Sequence, residues 1–141
     1  MTKVEKADSG WVGPIYDKID SFDAKVTDLK FYETGGEETT QRKYSTSFKG
    51  SSSRYINYEL DLQYTSPGRR VEFESAAVYY NADGSVLAEK TRQARVEPEW
   101  QGSNHYDGWG SSAPGTWKTG FYRVDIFVAG KRIASKWFEV N

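Results

Sequence analysis

His105 is the only histidine in the 141-residue chain. Asp107 lies two residues on, and Ser103, Ser111 and Ser112 flank it. A serine, an imidazole and a carboxylate are the parts of a hydrolase centre, because the imidazole takes the hydroxyl proton while the carboxylate orients the ring. No nucleophile-elbow sequence accompanies these residues. A loop histidine that hydrogen-bonds locally is the stronger account, and the chain is read as non-enzymatic. Metal chemistry is as thinly supported. One histidine plus Asp107 falls short of the three or four ligands that zinc requires. Asp83, in Asn81-Ala82-Asp83-Gly84-Ser85, lacks the spacing of a calcium loop and fits a turn better. Gly108-Trp109-Gly110 has neither the lysine nor the following helix of a phosphate cradle. No catalytic residue, metal or cofactor is therefore expected.

The stretch around His105 carries another kind of chemistry. Residues 98–120, PEWQGSNHYDGWGSSAPGTWKTG, are rich in glycine, serine and aromatics. They read as one long loop, and ordered loops of that length are usually functional. Trp100, His105, Tyr106, Trp109 and Trp117 are the candidate ligand- or partner-binding residues. Flat rings on a rigid scaffold stack on sugar faces or on partner side chains, while Gln101, Asn104 and Asp107 can fix orientation. For Trp109 and Trp117 burial beneath the loop is the stronger account, since large aromatics are mostly buried. The solvent face Asn57, Glu59, Asp61 and Gln63 is a second candidate surface, although most such faces are simply solvated.

Composition narrows the partners. The net charge is −1, which provides no general field for a phosphate backbone, so nucleic acid is not an expected partner. The chain has no cysteine, so disulfides and thiolate metal sites are excluded. Together with an N-terminus that lacks a signal-like apolar core, this favours a reducing cytoplasm. No apolar run approaches the ~20 residues of a membrane helix, and membrane insertion is not expected. Aromatics reach 16%, with ten Tyr and five Trp. Such rings bury large areas while keeping a polar handle.

Two-residue periodicity supplies the scaffold. In Arg54 to Tyr64, Ile56, Tyr58, Leu60, Leu62 and Tyr64 share one face and polar residues the other, which is a strand with one dry side. Strands are also expected at 25–33, 42–48 and 71–80. The 71–80 stretch turns apolar on both sides from Ala76 to Tyr80, as a central strand does. Asp83-Gly84 marks a hairpin, and 85–96 returns with Lys90, Arg92 and Arg95 as a charged edge strand. Gly115 to Val140 closes the domain with a hairpin turning at Ala129-Gly130. Its return strand would put Lys136 on the dry face with Ala134, Phe138 and Val140. A bulge near Ser135-Lys136 is expected to restore the register. Residues 1–22 read as a tail or linker whose apolar residues dock on the domain, which spans 23–141. The sum is an all-β, immunoglobulin-like antiparallel sandwich of seven or eight strands.

Tyr79-Tyr80, Asp83-Gly84-Ser85-Val86, Gly108-Trp109-Gly110, Tyr122-Arg123-Val124 and Phe138-Glu139-Val140, across about 25–141, resemble a bacterial Ig-like accessory domain. Such domains lie C-terminal in multidomain proteins with caspase-like peptidases, kinases or tetratricopeptide repeats. Lys136 stands where the resemblance implies a small residue. The resemblance implies a non-catalytic module with no defined ligand. The expectation is an interaction module within a larger bacterial protein, binding a protein partner or neighbouring domain. The alternative is a carbohydrate-binding module that uses the aromatic loop on a glycan.

Overall fold

The computed structural model describes residues 13–36 and 41–141. Trp11, Val12 and the acidic pair Glu37-Glu38 lie outside the described residues. Ten strands are described: β1 (Ile15–Tyr16), β2 (Lys18–Ile19), β3 (Ala24–Thr34), β4 (Ser47–Phe48), β5 (Tyr55–Gln63), β6 (Val71–Tyr80), β7 (Val86–Val96), β8 (Gly102–Gly110), β9 (Gly120–Val128) and β10 (Lys131–Val140). They form a six-stranded sheet, ordered β1-β10-β9-β6-β7 with β4 also on β10, facing a four-stranded sheet, β2-β3-β5-β8. All pairings are antiparallel except the two-residue match of β4 to β10. This is an all-β, immunoglobulin-like sandwich.

Alternation explains the core. Ile56, Tyr58, Leu60 and Leu62 of β5 are buried against Val124, Ile126 and Val128 of β9 and their neighbours. Phe138 is the aromatic hub. Its ring centroid lies 5.0 Å from Phe31, 5.8 Å from Phe48, 5.7 Å from Trp117 and 5.4 Å from Tyr122. Each ring fully buried in this way contributes about 1.5–3 kcal/mol. The final hairpin turns where glycine and a tolerated left-handed alanine allow it, with φ of 52° at Ala129 and 78° at Gly130. Positive φ at both positions suits a two-residue turn that follows the strand twist. Tyr122 donates its hydroxyl to the Lys118 carbonyl at 2.6 Å, tying the entry of β9 to the preceding loop as the tyrosine corner of such sandwiches does.

Several expectations need correction. The segment 42–48 is not a strand throughout; only Ser47–Phe48 pair, on β10. Tyr44 instead bridges Tyr32 of β3. The alternation is real, but its residues serve two sheets, with Tyr44 outside the four-stranded sheet and Phe48 in the core. Residues 15–19 cross between the sheets in the same manner. The Asp17 amide donates to Ile133 of β10 at 2.8 Å, and its carbonyl accepts from Val26 of β3 at 2.9 Å. The bulge in β10 falls between Arg132 and Ala134, not at Ser135-Lys136. Ile133 is thereby turned inward, and its carbonyl receives Asp17. Lys136 stays on the inner side, where it reaches the seam and pairs with Asp28 at 3.7 Å. β6 is central, between β9 and β7, and β7 is an edge.

Candidate functional site

The largest correction concerns residues 98–120. Residues 102–110 are not loop but strand β8, paired with β5 from Tyr55↔Gly110 to Gln63↔Gly102. The glycines misled because they look like punctuation. At Gly108 an added Cβ would overlap the Asn57 carboxamide, and at Gly110 it would overlap the Arg54 backbone. Glycine here permits close approach of a partner strand. The signal that reveals β8 is the alternation of Ser103, His105, Asp107 and Trp109 against Asn104, Tyr106 and Gly108.

That alternation sends the candidate residues to different places. His105 and Trp109 point between the sheets. Trp109 packs edge-on against Trp117, centroids 5.3 Å apart. Trp117 is a core residue whose indole N–H donates to the Arg54 carbonyl at 2.9 Å. Trp100 lies in the turn before β8 and is 40% exposed, beside Arg70 and Arg95. Of the five, only Tyr106 faces out from β8.

His105 is walled in. Its Nε2 lies 2.8 Å from Ser103 Oγ, which in turn accepts the Tyr64 hydroxyl at 3.0 Å. Phe73 packs edge-on against the imidazole at 5.4 Å. Burial, with a smaller effect of the Arg92 charge, brings the imidazole down to about 4, so it is neutral at pH 7. Asp107 does not orient it; Asp107 Oδ1 accepts the Gly108 amide at 2.8 Å. Among the described residues no group of three or more His, Cys, Asp or Glu side chains can hold a metal ion.

The outer face of the four-stranded sheet is built rather than simply wet. Glu59 is 3% exposed because the 42–44 segment lies over it. Arg42 NH1 contacts Glu59 at 2.5 Å, Tyr44 donates to it at 2.6 Å, and Lys30 lies 3.5 Å from its other oxygen. Burial alone would raise this carboxyl, but hydrogen bonds from Asp61, Tyr44 and Arg42 bring it down to about 2. Burial and the adjacent Glu59 push Asp61 up to about 6, against the pull of Lys30. Asp61 Oδ1 is buried without a hydrogen-bond partner, while its Oδ2 pairs with Lys30 at 2.9 Å.

Beside this network is a cleft of about 290 Å³. Its floor is the row Tyr32, Asn57, Gly108, and it exists because Gly108 has no side chain. Tyr106 and Tyr55 form walls, and Lys90 and Arg92 reach in from β7. Lys90 and Arg92 pair with Ala77 and Ser75, which are buried inner-face positions, so both cations project across the open side of the sandwich toward β8. Arg92 stands 5.3 Å from the Tyr106 ring, whose centroid also lies 4.3 Å from Arg42. Sequence patterning marked Lys90 and Arg92 as edge charges but held no sign that Arg92 meets Tyr106 or that Lys90 lines the same cleft.

The opposite face of the molecule carries an apolar hollow. Ala76, Val78 and Tyr80 of β6, Val86 of β7 and Phe127 of β9 line it, with Glu72, Glu74 and Glu89 around them. Val86 is 59% exposed. The two-sided apolar character of Ala76 to Tyr80 was the sequence signal for a central strand, and its outward half forms this surface.

Comparison with solved structures gives likenesses of fold. The C-terminal domain of Wzt is similar at a TM-score of 0.51 and 10% identity, over 84% of this chain and 73% of that one. An immunoglobulin-like protein from Pseudomonas aeruginosa is similar at 0.49 and 13% identity, over 84% of this chain and 97% of that one. A β-glucuronidase from Bacteroides uniformis is similar at 0.46 and 10% identity, over 79% of this chain but only 12% of that one. No protein-family model matches the sequence, and no curated protein matches it. Of these three, the likeness to the Wzt domain alone exceeds a TM-score of 0.5, and at 10% identity it shows a shared fold and nothing more.

Proposed function

We propose that this domain is a non-catalytic accessory module of a larger bacterial protein, and that it binds a protein partner or neighbouring domain through the apolar hollow on the six-stranded sheet. The observation that carries the reading is the placement of Ala76, Val78, Tyr80, Val86 and Phe127 on a solvent face. The outer face of an antiparallel sheet normally carries polar groups, and contiguous apolar patches with polar rims mark interaction surfaces. The enclosure of His105 by Phe73 and Ser103 supports a non-catalytic role, since a general base must reach its substrate.

The test is hydroxyl-radical footprinting of Tyr80 and Phe127 in the isolated domain and in the native gene product. The reading expects both side chains to be protected in the larger protein or its complex. Equal oxidation in the two settings counts against it.

A second reading, carbohydrate recognition, is favoured by one specific observation: tyrosine rings, an amide and two cations converge on the cleft beside β8.

A further inference from the structure

We infer that the cleft between the β7 edge and β8 binds a uronic acid residue of an acidic glycan. This rests on the carbohydrate reading and narrows it to a charge class. The volume, about 290 Å³, suits one pyranose ring rather than an extended ligand. Tyr55 lines it as an aromatic wall, and aromatic rings pack on the C–H faces of sugars; the Tyr106 ring already carries Arg42 and Arg92, at 4.3 and 5.3 Å from its centroid.

The polar groups are sorted by wall. Asn57 Nδ2 is already engaged, donating to Thr34 Oγ1 at 2.9 Å and to the Tyr32 carbonyl at 3.3 Å. Its Oδ1 faces Gly108 and is left as an acceptor. Asp107 lines the same cleft and supplies carboxylate acceptors. Acceptors on this side call for hydroxyl donors. On the β7 side stand Lys90 and Arg92, neither of which makes an ion pair among the described residues. In a chain with 20 acidic residues and 19 Lys and Arg, two neighbouring cations without a carboxylate ion-pair partner among the described residues form a local anion site. Asp107 opposes a doubly charged phosphate through like-charge repulsion. A single carboxylate on a hydroxylated ring satisfies both walls at once. An acidic peptide side chain would satisfy the cations but leave Tyr55 and the two acceptors without partners.

The experiment is calorimetric or NMR titration of the whole chain with oligogalacturonate and oligomannuronate, their methyl esters, and oligoglutamate, at low and high salt. At least one uronate oligomer is expected to bind, with its methyl ester at least about tenfold weaker and oligoglutamate inert. A charge-assisted hydrogen bond accounts for a factor of that size. Binding should weaken with salt as exposed charges are screened. Arg92→Gln and Lys90→Gln should each lower uronate affinity about tenfold, whereas Arg95→Gln, which disrupts only the Arg95–Glu97 pair, should not. Ester and acid binding equally would overturn the charge assignment and leave neutral-sugar recognition standing. Failure of every sugar would overturn the carbohydrate reading itself. Oligoglutamate binding as tightly as uronate would overturn the proposal in favour of an acidic protein partner.

Discussion

The guanidinium of Arg42 lies 4.3 Å from the ring centroid of Tyr106 and 4.7 Å from that of Tyr32, while its NH1 contacts Glu59. One side chain from outside the sheet thus spans β3, β5 and β8. It closes the buried carboxylate below and fixes the phenol that forms a wall of the cleft.

Removing the charge at the centre of this network should be felt in stability. Glu59→Gln keeps the shape but leaves Arg42 and Lys30 without their shared carboxylate. A loss of about 2–3 kcal/mol is expected, read as a lower midpoint in urea denaturation with an unchanged slope.

The pH dependence of stability should contain two opposed contributions. Asp61 has its folded value raised from 3.8 to about 6. Its contribution is present below about pH 4 and is lost as pH rises through 6. His105 has its folded value lowered from 6.5 to about 4. Its contribution is present above about pH 6.5 and is lost as pH falls through 4. The two slopes offset each other between pH 4 and 6. Asp61→Asn should therefore leave stability rising with pH across that window, and His105→Gln should leave it falling. Denaturation midpoints measured at half-unit intervals check both signs.

These titrating groups also show where sequence reading succeeds and stops. The strands β3, β5, β6, β7, β9 and β10 were legible because alternation of apolar and polar residues is a local property. The site was less legible because its parts come from different sheets. Glu59 looked solvated, since no local pattern says that Arg42 and Tyr44 fold back over it. Asp125 looked like the polar side of β9, yet it is 2% exposed, accepts Ser135 Oγ at 2.6 Å and pairs with Arg123. Lys136 looked like a register error, and its partner Asp28 lies 108 residues away in sequence, on β3. β8 was hidden by its glycines, whose role is set by the facing strand β5.

Gly108 is the simplest probe of that last point. Gly108→Ala would drive a methyl group into Asn57. We expect a loss of about 1–3 kcal/mol, together with altered amide shifts at Asn57 and Tyr32. A neutral effect would mean that β8 does not lie against β5 in this register.

Trp117 should behave as core. Trp117→Ala is expected to cost about 3–5 kcal/mol, since the indole packs between Trp109, Tyr122 and Phe138. Tyr122→Phe, which removes only the hydrogen bond to Lys118, should cost about 1 kcal/mol. Thermal denaturation of the two variants provides the comparison.

The most direct test is an NMR titration of the single imidazole. If β8 turns His105 between the sheets and Tyr106 toward the cleft, the folded protein should show a histidine midpoint near 4, well below the ordinary 6.5. A midpoint at or above 6.5 would place the ring in solvent. It would reverse the faces of β8, open the possibility of a reaction centre there and remove the cleft on which recognition is argued.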